Sequence, residues 1–257
     1  MSLVLDAHCH CGIQDSPPPQ DYETIAALHR QAGVEAVWMF PPVMEVYDRH
    51  DPDFTDTPDW RARRHRAHRY LLELARTRRQ PRVFPFFFVW NDFDLEALTD
   101  DYRGIKWHRH PDEPVYHYDD PRCRAILDVI TERRLPIVLE ETFENTMRFL
   151  DELAPEAIVV IPHCGHLNGG FARLHALRVW QRPNVYADTS AAPSRNPAIL
   201  RTFILTYGPE KLLYGSDYPF DDPAHCLAAV RDLRLSPADE ALVLSGNALR
   251  LIGEPAA

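Results

Sequence analysis

Short apolar runs recur along the whole chain and are separated by longer segments in which polar and apolar residues mix. Most of the runs are rich in β-branched or aromatic residues and lack polar alternation, which is typical of parallel strands buried on both faces. We find eight such runs, at residues 3–7, 34–40, 82–89, 104–107, 136–139, 157–161, 184–187 and 211–214. The pattern therefore predicts eight buried strands.

The segments between these runs have helical character and local end signals. Gly33 follows the first segment, 21–32, where a left-handed C-terminal glycine is common. Ser236 and Pro237 begin the last segment with a capping side chain and a proline in the first turn. The other predicted helices cover 59–79, 120–134, 143–153, 171–181, 196–207 and 224–233. Eight strand–helix repeats in one domain, 1–257, favour a closed (β/α)₈ TIM barrel over an open doubly wound sheet.

Composition narrows the class of partner. With 45% hydrophobic and 26% charged residues the chain is typical of a soluble globular protein. A net charge of −10 argues against nucleic-acid binding, and the basic stretch 61–69 fits a solvated helix face. The N-terminus lacks a signal-peptide pattern, and no apolar stretch is long enough to span a membrane. Five cysteines without CxxC spacing indicate a reduced, cytoplasmic protein. We expect a small-molecule ligand, no membrane partner, and a homodimer as the default oligomer.

Ionisable side chains collect directly after the predicted strands. Since the carboxyl ends of barrel strands form the active-site face, this one-sided concentration predicts a site there. Buried charges are costly unless they are paired or bind a metal. The residues concerned are Asp6, His8, His10, Lys106, His108, His110, Glu140, Glu141, His163, His166, Asp188 and Asp217. Three long connections, 41–58, 109–119 and 190–195, follow strands on the same face, and 41–58 is the predicted lid over the active site.

The first and last strands together predict a metal site. His8 and His10 are two residues apart on a strand, so both imidazoles face the same way, whereas Cys9 faces the core. Barrel closure makes the last strand a neighbour of the first, which brings Asp217 to these histidines. There its carboxylate can bind a cation and accept a proton from bound water. The alternatives are two surface histidines and an Asx-turn before Pro219.

Several motifs resemble those of a known family. The runs DAHCH (6–10), GIKWH (104–108), IPHCG (161–165), NVYAD (184–188) and YGSDYPF (214–220) occur in the order seen in the amidohydrolase superfamily. The chain is most similar to the amidohydrolase-related branch, which includes aminocarboxymuconate-semialdehyde decarboxylase and its relatives. The resemblance implies that His8 and His10 are metal ligands and that Asp217 binds metal and moves protons. It also implies that His163 polarises the substrate, activates water or binds the metal.

The end of strand five departs from that family pattern. The branch usually has a histidine there, and this chain has Glu140. As a ligand, Glu140 would shift the metal preference from zinc toward manganese or iron, because carboxylates suit those ions better. Alternatively, Glu140 pairs with Lys106. Some superfamily members carry a carbamylated lysine at the position of Lys106, but ion pairing or binding of a substrate carboxylate is the simpler interpretation.

The sequence therefore predicts a metal-dependent hydrolase that attacks an amide, ester or lactone with a metal-activated water. Zinc is the expected ion, with manganese or iron as alternatives. The rival enzyme hypothesis is a non-oxidative decarboxylase of an aromatic or unsaturated carboxylic acid, and the remote one is a non-catalytic binding barrel. Candidate substrate-binding residues are Lys106, His108, His166 and Arg195, and Arg109 is a further loop residue that could hold a substrate carboxylate.

Overall fold

Eight parallel strands follow one another in chain order, each hydrogen-bonded to the next. The computed structural model describes residues 3–13, 20–191 and 196–255. Strands β1–β8 are Leu5–His10, Ala36–Phe40, Arg82–Phe88, Gly104–His108, Ile137–Glu140, Val159–Ile161, Val185–Asp188 and Leu212–Leu213. The segment that follows β8 meets β1 through hydrogen bonds from Ala7 N to Tyr214 O and from His10 N to Tyr218 O, both 2.9 Å. The expected (β/α)₈ TIM barrel is confirmed.

Nine α-helices lie within the described ranges. Helices α1–α9 are Tyr22–Ala32, Pro58–Thr77, Pro121–Glu132, Phe143–Arg148, Phe171–Ala176, Pro197–Tyr207, Pro223–Arg231, Pro237–Ala241 and Asn247–Leu251. A Ser, Thr, Asp or Asn side chain caps seven of them, and proline occupies the first turn of five. Many of the prolines therefore start helices, where a missing N–H costs nothing. None of the described helices combines the length and the apolar character needed to cross a membrane.

The connection between β3 and β4 interrupts the alternation. The prediction that every strand is followed by a helix is wrong here, because residues 89–103 form turns and no α-helix. The turns have local causes: Phe93 adopts a left-handed φ of 43°, and the Asp94 carboxylate accepts a hydrogen bond from Ala97 N at 3.1 Å. Arg64 of α2 donates to Asp92 at 2.5 Å and ties this segment to the helical layer.

Apolar side chains fill the lower part of the barrel and set the depth of the site. Trp38 and Phe86 stack with ring centroids 4.6 Å apart, and Phe40 and Phe84 join the same inner cluster. The ring of His8 meets the edge of Phe40 at 5.1 Å. Polar groups can therefore collect only above Phe40, at the carboxyl ends of the strands.

Strand β1 contains one extra residue relative to β2. Asp6 is opposite Val37 but Cys9 is opposite Met39, so three steps along β1 match two along β2. Such a bulge re-aims side chains. His8 and His10 both reach the interior of the barrel mouth, whereas Cys9 packs with Val37 and Met39 in the layer beneath α1. The predicted orientation of Cys9 is the one observed.

Candidate metal centre and active site

His8, His10 and Asp217 converge at the barrel mouth. The Nε2 atoms of His8 and His10 lie 3.4 Å and 3.7 Å from Oδ1 of Asp217, and all three residues are buried. Asp217 adopts a left-handed φ of 62°, which is uncommon for a non-glycine residue and typical of functional sites. Its backbone N donates to His8 O at 2.7 Å, which holds the two chain segments together. The structure thus brings the three predicted ligands into one group.

The second nitrogen of each histidine is bound by an acceptor. His8 Nδ1 lies 2.8 Å from Oδ2 of Asp188, and His10 Nδ1 lies 3.2 Å from the main-chain oxygen of Pro41. Acceptors at Nδ1 favour the tautomer whose Nε2 lone pair is free, which is the usual arrangement of metal-binding histidines. Burial, helped by Lys106, holds the pKa of His10 well below its usual value, so this imidazole is neutral. The group therefore fits a divalent cation.

His163 follows β6 and lies between two carboxylates. Its Nε2 is 3.4 Å from Oε2 of Glu140 and 4.0 Å from Oδ2 of Asp217. Asp188 accepts the backbone N–H of His163 at 2.9 Å, and Ser190 Oγ lies 2.9 Å from Nδ1. Burial opposes the charged form, but the carboxylates of Glu140 and Asp217 raise the pKa of His163 to about 9. In the metal-free protein this imidazole is consequently a charged hydrogen-bond donor.

Lys106 and Glu140 form a buried ion pair beside this histidine. Lys106 Nζ lies 3.0 Å from Oε2 of Glu140 and 3.1 Å from Nε2 of His8. Burial favours the neutral acid, but the basic side chains of His108, Lys106 and His163 around it hold the pKa of Glu140 well below its usual value. The Oε2 atom of Glu140 thus contacts Lys106 and His163.

A second histidine pair faces the other oxygen of Glu140. The Nε2 atoms of His108 and His110 lie 3.4 Å and 2.6 Å from Oε1 of Glu140. Behind them, Oε2 of Glu113 is 3.5 Å from His108 Nδ1, and Oε1 is 3.3 Å from His110 Nδ1. Burial lowers the pKa of His108 to about 4, so this ring is neutral. Sequence reasoning gave no role to His110 or Glu113, although the repeat of the H-x-H spacing at a strand end was a signal for the former.

The remaining candidates lie farther from the centre or outside the described ranges. His166 is exposed, and its backbone N donates to His163 O at 3.0 Å. Arg109 projects from β4 away from His108, and its guanidinium lies 3.4 Å from the Glu141 carboxylate. The Arg109 guanidinium, a candidate for binding a substrate carboxylate, is therefore already paired with Glu141. Arg195 falls outside the residues that the structure describes.

Comparison with known proteins settles the family. The model of the amidohydrolase family matches residues 5–253. The chain belongs to the amidohydrolase family. The predicted resemblance is confirmed, and with it the expectation that this is an enzyme. None of the curated proteins compared with this amidohydrolase matches it.

Solved structures share the fold of this amidohydrolase at low identity. A dihydroxybenzoic acid decarboxylase from Polaromonas sp. JS666, with bound manganese and the inhibitor 2-nitroresorcinol, is 14% identical over 98% of this chain and 97% of its own, with a TM-score of 0.74. An amidohydrolase from Burkholderia multivorans with bound zinc is 17% identical over 99% and 100%, at 0.71. A candidate 2-pyrone-4,6-dicarboxylic acid hydrolase from Pseudomonas putida is 18% identical over 98% of both chains, at 0.72.

A cavity of about 640 Å³ opens at the mouth of this amidohydrolase's site. Its lining residues are Arg49, His50, Pro52, His110, Asp112, Glu113 and Phe220. Phe220 meets the ring of His10 edge-on at 6.3 Å, so the cavity borders both histidine pairs. Segment 41–58 supplies three of the lining residues, and its role as a lid stays a prediction.

Proposed function

We propose that this chain is a metal-dependent hydrolase acting on an amide, ester or lactone of a small molecule. The observation that carries the proposal is the position of Glu140. Its carboxylate already pairs with Lys106 and His163, the cations that a substrate carboxylate would otherwise use. A substrate undergoing decarboxylation would compete with Glu140 for them, whereas a neutral acyl group would not. Asp217 meanwhile faces the same space as a proton acceptor.

His8, His10 and Asp217 would hold the metal ion, with His163 and Glu140 as further candidate ligands. The fit rests on the acceptors at both Nδ1 atoms, which leave two Nε2 lone pairs directed at one carboxylate oxygen. When bound, a divalent ion supplies Lewis-acid polarisation and lowers the pKa of a bound water. Zinc remains the proposed ion, and manganese or iron the alternatives, since relatives hold zinc or manganese.

The chain's own residues divide the proton transfers between them. Asp217 takes a proton from the attacking water and returns it to the leaving group. Burial raises the pKa of Asp217, with His163 and His8 opposing the shift, and a higher pKa suits a group that must both accept and release a proton. His163 donates a hydrogen bond to the carbonyl oxygen as negative charge develops on it. Lys106, His108, His166 and Arg195 remain proposed substrate contacts.

The second candidate is a metal-dependent decarboxylase. The similarity to a decarboxylase along almost the whole chain supports it, as does the presence of Lys106 and His108 within the site. In that reaction the substrate carboxylate would displace Glu140 from Lys106, and Asp217 would deliver a proton to carbon.

Asp217→Asn tests the proposed function on a panel of lactones, esters, amides and hydroxybenzoates. We expect the wild type to hydrolyse an acyl substrate, and the variant to lose kcat by about 10²–10⁴-fold, the usual contribution of a positioned acid–base group. Asp232→Asn, at an exposed position, is the matched control and keeps full activity. Carbon dioxide release from a hydroxybenzoate without acyl hydrolysis would favour the decarboxylase. Full activity of Asp217→Asn would remove the proton-transfer role.

A further inference from the structure

The second histidine pair has the composition of a metal site. We propose that His108, His110 and Glu140 bind a second divalent cation of the zinc type, separate from the ion held by His8, His10 and Asp217. The proposal does not depend on whether the reaction is hydrolysis or decarboxylation. It concerns only what these three side chains bind.

The ligand atoms are already gathered. The two Nε2 atoms face the same Oε1 of Glu140 at 3.4 Å and 2.6 Å, and the rings of His108 and His110 are 4.7 Å apart. Tetrahedral zinc with bonds of about 2.0–2.2 Å keeps its ligand atoms roughly 3.3 Å apart, and two histidines with one glutamate are an established set for it. The distance from His108 Nε2 to Glu140 Oε1 already suits an ion. The distance from His110 Nε2 to the same oxygen must increase by several tenths of an ångström.

Loop side chains contact both rings from behind. Glu113 lies 3.5 Å from Nδ1 of His108 and 3.3 Å from Nδ1 of His110, and Tyr47 OH lies 3.0 Å from the former. Arg49 lies 3.0 Å from Nδ1 of His110 and can only donate, so metal binding requires Arg49 to stay on Glu113 alone while His110 Nδ1 takes the proton and frees Nε2. Glu113 is itself held by Tyr47 OH at 2.8 Å and by Arg49 at 2.5 Å. Carboxylates that accept from metal-binding histidines typically strengthen metal affinity by 10- to 100-fold.

The two sites use different oxygens of Glu140. Oε2 faces Lys106 and His163, whereas Oε1 faces the second histidine pair. An ion at Oε1 can therefore bind without displacing Lys106. Three protein ligands leave at least one coordination position open, and His110 lines the cavity at the mouth, so water or a substrate oxygen can reach the ion. A site of this kind exchanges its metal with solvent.

Metal counting on zinc-loaded protein, with anomalous diffraction at the zinc edge, tests the proposal. We expect two equivalents in the wild type, one in His110→Gln, and one in His8→Ala/His10→Ala, with the remaining ion at the second site in the latter. His117→Gln, an exposed histidine of the same loop, is the matched control and keeps two. A wild type that binds one ion, lost only from His8→Ala/His10→Ala, would overturn the proposal.

Glu113→Gln keeps the test decisive should His110→Gln fail to fold. We expect the second equivalent to bind 10- to 100-fold more weakly in this variant while the first is unchanged, because only the second pair is supported by Glu113. A second equivalent whose affinity is unaltered in Glu113→Gln would mean that it binds elsewhere, which also overturns the proposal.

Discussion

The pairs His8/His10 and His108/His110 have the same spacing near the end of a strand, but their surroundings differ. His10 still lies in β1, whereas His110 lies in the loop that follows β4. Each pair faces one carboxylate oxygen. The first pair is supported by Asp188 of β7 and by the main-chain oxygen of Pro41, whereas the second is contacted at its Nδ1 atoms by the loop side chains of Tyr47, Arg49 and Glu113. Spacing therefore determines which way the imidazoles face, and the acceptors behind them determine how firmly they are held. We expect the first pair to bind metal more tightly.

The largest expected difference between the pairs is in turnover. His8→Ala/His10→Ala removes both β1 ligands of the group around Asp217, so activity should fall on the order of a thousandfold, equivalent to several kcal/mol of lost metal catalysis. His110→Gln should cost on the order of tenfold, because the first group stays intact. Steady-state kinetics on an identified substrate measures both. Equal losses in the two variants would mean that the pairs act as one centre.

The contributions of His163 and His108 to the free energy of unfolding should change with pH in opposite directions. In the metal-free protein the pKa of His163 is raised to about 9, despite its burial, by Glu140 and Asp217, whereas burial lowers the pKa of His108 to about 4. A raised histidine pKa contributes stability below about 6.5 that disappears as pH rises through 9. A lowered histidine pKa contributes stability above about 6.5 that disappears as pH falls through 4.

Urea unfolding of the metal-free protein between pH 4 and 9.5 measures these contributions. Each is expected to change the free energy of unfolding by at most about 3 kcal/mol over its range. His163→Gln should flatten the alkaline limb, and His108→Gln the acidic one. A variant that flattens the opposite limb, or neither, would show that another group titrates there.

More of the site around His8 and His10 than of the site around His108 and His110 could be predicted from the sequence, for a physical reason. The period of a strand and the closure of a barrel are general rules, so His8, His10 and Asp217 could be placed together without coordinates. The groups at His110 Nδ1 are Arg49 and Glu113, and their positions depend on loop conformations that no periodicity encodes. Glu140 could be assigned only as a ligand or as the partner of Lys106, and the structure shows the contact with Lys106.

The β1 bulge is a second feature that the pattern could not reveal. Strict alternation would place Asp6 on the same side as His8. Because one residue is inserted, the Asp6 carboxylate instead contacts His29 of α1 at 2.9 Å and Ser216 Oγ at 2.6 Å. One extra residue in a strand reverses the orientation of the side chains that precede it relative to those that follow it. Rules of alternation therefore predict faces reliably only within an uninterrupted ladder.

The smallest expected effect concerns Cys9, the residue between His8 and His10. Its side chain is fully buried beneath α1, so Cys9→Ala should lower the free energy of unfolding by about 1 kcal/mol through lost packing, as small truncations in a core do. Metal content should not change, because the side chain faces away from both imidazoles. Cys123→Ala, equally buried in α3, is the matched control. Loss of metal from Cys9→Ala alone would mean that the bulge depends on this side chain. The orientation of His8 and His10 would then depend on packing beneath the strand as well as on the acceptors at their Nδ1 atoms.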